Sequence, residues 1–170
     1  MANLYPYLIS SLPMLSFGAP AQFGLAELIE KCSGLIPCDH LETLRSISIE
    51  GPSGSLNPVI RKWSGFNITL KNELVKVRST RKKARAEDYL RPGGYTEPSL
   101  YYLALAAHRN LSLLDGEKIL DIARWKFLEE LSFGHYFDLD LVIIYAYKLL
   151  ILERWEKINT ADRETLLSLV

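Results

Sequence analysis

The stretch Asp138–Trp155 reads DLDLVIIYAYKLLILERW, and it decides the fold class. Leu141, Ile144, Tyr145, Lys148, Leu149, Leu152 and Trp155 fall on one broad side of a helix. Val142, Ile143, Ala146, Tyr147, Leu150 and Ile151 fill most of the remaining circumference. A helix that is apolar all round either sits at the centre of a bundle or faces a partner. The central position is the favoured reading. Tyr145 and Trp155 are nonetheless candidate partner-binding residues, because tyrosine and tryptophan are enriched at interfaces. The densest apolar run, Leu139–Leu152, includes Asp140 and Lys148 and falls short of the ~20 residues a helix needs to cross a bilayer.

Outward from that helix the chain reads as further helices. Asp138 is expected to cap it, and Thr160 to cap one more short helix that is still running at Leu169–Val170. Upstream, Asp115 is the expected cap of a longer helix with Ile119, Ile122, Ala123, Lys126, Phe127 and Leu131 on its inward face. Pro98 opens the helix before it. Asn57–Pro58 pairs an N-cap with a proline at the first helical position, and a bend or a separate helix is expected at Ser64–Gly65. From there Phe66, Leu70, Leu74 and Val77 form a stripe that then fades. Asp39, with Glu42 three positions on, reads as a capping box, and residues 22–33 read as a short helix. Residues 4–10, LYPYLIS, read as an extended arm or edge strand because Pro6 is unwelcome in a central strand. The expectation is a mainly α, multi-helix, bundle-like single domain over 1–170 with a short extended N-terminal segment. Arg91–Pro92–Gly93–Gly94 marks a lobe boundary near 91–95. The uncapped helix at the end of the chain suggests an N-terminal fragment of a longer protein.

The chain has 170 residues, 20 basic and 20 acidic, so its formal net charge is zero. That disfavours a whole-chain polyanion binder. The zero comes apart by region, with residues 61–91 carrying 10 basic and 3 acidic residues. The core of this segment is Arg78, Arg81, Lys82, Lys83 and Arg85, all candidate partner-binding residues. Such a run could track a nucleic-acid backbone, an anionic bilayer or an acidic protein, or could simply face solvent. Nucleic-acid readers add interleaved aromatics, and the nearest one here is Tyr89. An acidic protein is therefore the favoured partner, beside the plain solvated face.

Chemistry-bearing motifs are sparse. No phosphate-cradling glycine loop, HExxH or serine elbow is present. Cys32 and Cys38, without a histidine cluster, read as inert thiols in preference to a metal or redox pair. His135, Asp138 and Asp140 lie within one short string and would suit acid–base work if they converged, but helix capping and turn anchoring account for them more simply. No catalytic, cofactor-binding or metal-binding residue is assigned, and the chain is expected not to be an enzyme.

Three segments carry a family resemblance: Tyr5–Leu15 (YPYLISSLPML), Ala123–Leu131 (ARWKFLEEL), and 134–140 (GHYFDLD) with Ile144–Trp155 (IYAYKLLILERW). Together they resemble an uncharacterised bacterial family encoded within V-type (A-type) ATPase operons, and the resemblance covers nearly the whole chain. Its motifs are structural and imply no reaction. The operon position resembles that of the funnel-shaped helical component of the V-type ATPase, which joins the central stalk to the membrane rotor ring. The resemblance therefore implies a counterpart of that component: a helical adaptor between stalk and rotor, cytoplasmic or peripheral on the cytoplasmic face of the inner membrane, without cofactors. Its implied partners are stalk or rotor proteins of the ATPase. The competing readings are a helical regulatory or assembly protein, a nucleic-acid module, an unrecognised enzyme and a membrane-surface protein.

Overall fold

A computed structural model describes residues 4–49, 57–82 and 85–167, without the side chains of Arg81 and residues 162–167. Among these residues seven α-helices form: α1 Pro6–Ser11, α2 Leu25–Cys32, α3 Cys38–Arg45, α4 Pro58–Lys82, α5 Pro98–Arg109, α6 Leu113–Ser132 and α7 Leu139–Leu167, with a 3-10 turn at Ala86–Tyr89. The fold is mainly α, a multi-helix bundle with no β-sheet among the described residues. No helix among them is long and apolar enough to cross a membrane. The chain divides into two units. Unit 1 comprises residues 1–49 and 128–170, and unit 2 residues 50–127.

Unit 1 is organised by α7. Val142, Ile143, Ile144, Ala146, Tyr147, Leu149, Ile151 and Leu152 are all buried, and they span the whole circumference of the helix. α2 and α3 pack against α7 and against each other, bringing in Leu28, Leu41 and Leu44. The N-terminal stretch differs from its expected extended form. Residues 6–11 turn into α1, with Pro6 in the first turn, where its fixed φ suits a helix and its missing N–H costs nothing. The Tyr5 amide donates to the Phe137 carbonyl (2.5 Å) and the Tyr5 hydroxyl bonds His40 Nδ1 (2.6 Å), so both ends of this residue are tied down. At the other end of the unit, the expected separate helix after Thr160 is absent. α7 runs straight through, and the Thr160 hydroxyl donates to the Glu156 carbonyl (2.8 Å).

Unit 2 is built on α4 and α5. α4 is continuous across Ser64–Gly65, so no separate helix begins there: one glycine in a helix interior costs only ~1 kcal/mol, which flanking packing offsets. Phe66, Leu70, Leu74 and Val77 bury their stripe with Leu100, Ala104 and Leu120, and Phe66 stacks on Phe127 with ring centroids 4.2 Å apart. α6 approaches α5 so closely at Gly116 that a Cβ there would meet the Ala107 carbonyl oxygen at 2.7 Å. The Arg91–Tyr95 segment, expected as a lobe boundary, is internal to this unit and fastened to α4. Asn72 donates to the Arg91 carbonyl (2.9 Å) and accepts its N–H (2.8 Å), and the Thr69 hydroxyl accepts the Tyr95 N–H (3.0 Å). The chain instead divides at residues 49/50 and 127/128.

Candidate functional site

The basic run occupies the C-terminal end of α4 and the residues just beyond it. Arg78, Lys82 and Arg85 are exposed, and none of them makes an ion pair among the described residues. Arg81 lies on the same last turn of the helix, and Lys83 falls outside the described residues. A cation at a helix C-terminus complements the partial negative charge of its carbonyls. The upstream Lys76 is instead neutralised by Glu73 at 2.6 Å. The division into units sharpens the charge asymmetry. Unit 2 carries 14 basic and 8 acidic residues, net +6, and unit 1 carries 6 basic and 12 acidic, net −6. Fields of that size steer oppositely charged partners toward an encounter.

Tyr145 and Trp155, proposed from sequence as partner-binding, are occupied by the chain itself. The Tyr145 hydroxyl donates to the Pro13 carbonyl (2.9 Å), and its ring lies against Phe23. Trp155 meets Phe17 edge-on with centroids 6.4 Å apart. Residues 13–23 thus cover this side of α7, and burial pushes the Tyr145 hydroxyl up to about 12. Next along the helix, burial lowers the Lys148 ammonium below the usual lysine range, while the Glu129 carboxylate at 3.9 Å acts in the opposite direction.

His135, Asp138 and Asp140 do converge in the turn between α6 and α7. His135 Nδ1 lies 2.5 Å from Asp138 Oδ2 and 3.8 Å from Asp140 Oδ2. These are the only three side chains among the described residues whose ligand atoms gather closely enough for a metal ion. Their donors are already engaged, however. Asp138 accepts the Leu141 N–H with its other oxygen (3.0 Å), capping α7, and the positive end of a helix disfavours a cation. Gly134, at φ +87°, provides the left-handed backbone that reverses the chain here. The arrangement clamps a turn.

The remaining expected caps divide in two. Asn57 accepts the N–H groups of Val59 (2.9 Å) and Ile60 (3.1 Å) at the start of α4. Asp39 makes no capping bond: α3 begins at Cys38 after Pro37, which leaves Asp39 in the first turn, where the helix dipole favours it. α6 likewise begins earlier than expected, with the Ser112 hydroxyl accepting the Asp115 N–H (3.2 Å), so Ser112 holds the place assigned to Asp115.

Sequence reasoning missed a buried polar network in unit 2. Arg124 donates to Asp121 (2.6 Å) and to Asn67 (2.9 Å), and Asn67 donates to the Trp63 carbonyl (3.0 Å). All three side chains are buried. The most deeply buried positions of α6 include Leu120, Asp121, Arg124, Trp125 and Leu128, while Ala123 and Phe127 of the expected inward face are partly buried against the core of unit 2. Carboxylate and guanidinium three residues apart flanked by Leu120, Trp125 and Leu128 were the available signal. A further feature is an open depression of about 580 Å³ along α7, lined by Gly24, Glu153, Glu156, Lys157, Thr160 and Ala161. At its rim Glu153 accepts the Leu25 N–H (2.5 Å), capping α2 from a distance of 128 residues along the chain.

No curated protein and no solved structure matches this chain. Residues 96–170, which hold α5, α6 and α7, match the model of a family described as a protein of unknown function (DUF2764), and in that stretch the chain is similar to its members.

Proposed function

We propose that this chain is a non-catalytic helical adaptor or coupling component of a V-type ATPase, linking central stalk and membrane rotor. In this reading it works on the cytoplasmic face of the inner membrane and is held there by its protein partners. The resemblance of Tyr5–Leu15, Ala123–Leu131 and Ile144–Trp155 supports the reading. The observation that carries it is the exposed cationic end of α4, with Arg78, Lys82 and Arg85 on a unit of net charge +6. A coupling protein needs a rigid helical frame and a charged face that sets register and encounter rate with an acidic stalk or ring surface. Both are present.

The test is affinity capture of the protein from its native membranes with mass spectrometry of what is retained. Near-stoichiometric recovery of rotor or stalk proteins is expected, with loss of that recovery on Arg78→Glu with Lys82→Glu. Recovery of the protein alone from intact, active ATPase preparations would overturn the role of a stable component. The alternative of a regulatory or assembly protein predicts capture only from partly assembled complexes.

A further inference from the structure

The turn from α6 to α7 displays more exposed aromatic surface than the fold uses. Phe133 is 89% exposed and Tyr136 70%, and Phe137 is also open to solvent. α1 extends this patch. Because the Tyr5 amide bonds the Phe137 carbonyl while the Tyr5 ring turns inward to His40, its neighbours Leu4 and Tyr7 are left outside, Tyr7 at 79% exposure. All of these residues belong to unit 1. The charge around them is acidic. Residues 128–147 contain Glu129, Glu130, Asp138 and Asp140 and no lysine or arginine, and Glu129 and Glu130 are exposed on the last turns of α6. Lys148 lies 3.9 Å from Glu129 and is itself largely covered, while the Glu129 side chain stays about half exposed.

Exposed aromatics in an acidic surround define what would cover them. An anionic bilayer is repelled by four carboxylates. A strand cannot add to an edge here, since the described residues form no sheet, so the occupant presents side chains, as a helix does. Lysines or arginines would answer Glu129 and Glu130 and can also lie over the rings of Phe133 and Tyr136, while aliphatic side chains fill the space between the rings. We propose that the α6–α7 turn of unit 1 is a docking surface for a cationic amphipathic helix of a partner protein, anchored by Phe133, Tyr136 and Phe137 and counter-charged by Glu129 and Glu130. This surface is chemically opposite to the basic end of α4. The inference goes beyond the adaptor reading and does not depend on it.

The experiment uses the full chain and two labelled synthetic peptides with leucines at the same helical spacing, one with lysine and one with glutamate at the polar positions. Fluorescence anisotropy is expected to show binding of the lysine peptide only, weakened at least about tenfold in a Phe133→Ser, Tyr136→Ser variant and in a Glu129→Lys, Glu130→Lys variant. Circular dichroism melting confirms that the variants fold, as exposed positions should allow. Failure of the lysine peptide to bind, equal binding of the glutamate peptide, or unchanged binding by the serine variant overturns the proposal. Two further results also overturn it by naming another occupant. Concentration-dependent sedimentation of the protein, abolished by the serine variant, would place a second copy on this face. Retention on phosphatidylserine vesicles, abolished in the same way, would place lipid there. Because Arg78, Lys82 and Arg85 stay intact throughout, these outcomes are separate from those of the capture experiment.

Discussion

Unit 1 and unit 2 carry opposite net charges, −6 and +6, and they are also built by different means. Unit 1 surrounds an α7 that is buried on every side and places its polar contacts at the periphery: Tyr5 to His40, Tyr145 to Pro13, Glu153 to the start of α2. Unit 2 rests on the half-apolar α4 and buries a charged pair, Asp121–Arg124, together with Asn67. A helix that is mostly apolar draws most of its stability from shape complementarity with its neighbours, with Tyr147 and Lys148 as its polar exceptions. A helix with one apolar stripe leaves polar positions inside, and each must find a partner there or cost ~1–3 kcal/mol. The two units should therefore fail differently under mutation.

The largest contrast is expected at Arg124. Arg124→Met leaves the Asp121 carboxylate and the Asn67 amide buried without their cation, so unit 2 should lose ~3–5 kcal/mol in urea unfolding. Replacing Asp121 and Asn67 by leucine in the same protein should restore much of that loss, since breaking a buried pair costs more than removing it whole. A loss below ~1 kcal/mol for the single change would mean that the network does not hold unit 2 together. In unit 1 the matching substitution is Ile143→Ala, a pure cavity with an expected cost of about 3 kcal/mol and no polar partner to rescue.

Alkaline titration should separate the units without mutation. In unit 1, burial raises the Cys32 thiol from 9.0 to about 11 and the Tyr145 hydroxyl from 10.0 to about 12, and pushes the Tyr147 hydroxyl up further. These groups remain protonated in the fold but ionise on unfolding, so the unfolded state binds fewer protons as pH climbs from 9 toward 12. Their stabilisation is complete below pH 9 and is lost through that window. Lys148 runs the other way: its lowered value means that the penalty of burying an ammonium is relieved as pH rises toward 10.5, which offsets part of the loss. Thermal melts from pH 8 to 12, with Tyr145→Phe as the control, should show a net decline that the variant reduces.

Smaller effects follow at the edges. Glu153→Gln keeps the shape of the α2 cap but removes its charge, for an expected ~1 kcal/mol in unit 1. The change Arg78→Glu with Lys82→Glu should alter stability by no more than about 0.5 kcal/mol per position, because both side chains are exposed. A larger loss there would assign those cations a role inside unit 2, in place of one facing a partner.

How much of this was legible beforehand depended on whether a signal was local. The apolar circumference of Asp138–Trp155, the Asn57–Pro58 start, the Pro98 start and the capping of α7 by Asp138 each rest on residues a few positions apart, and each has its counterpart in the structure. The stripe from Phe66 to Val77 does too. The buried pair Asp121–Arg124 was not legible in this way. Asp121 and Arg124 are buried on α6 because they satisfy each other, and Asn67, 57 positions away in the chain, completes the set. Tyr145 and Trp155 show the same limit: apolar surface on a helix says that something covers it, and only the path of residues 13–23 says what lies against it here.

The sequence by itself therefore determined the helical class, the central place of α7 and the concentration of positive charge between residues 61 and 91, all of them consequences of composition and of the 3.6-residue period. The tertiary structure decided the rest. It drew the unit division that makes the charges −6 and +6, fastened the glycine pair at 93–94 to α4 through Asn72 and Thr69, and left Phe133, Tyr136 and Phe137 in the open. Those outcomes depend on which distant groups meet, and a hydrogen bond or a covering side chain supplied from elsewhere in the chain leaves no periodic trace in the sequence around it.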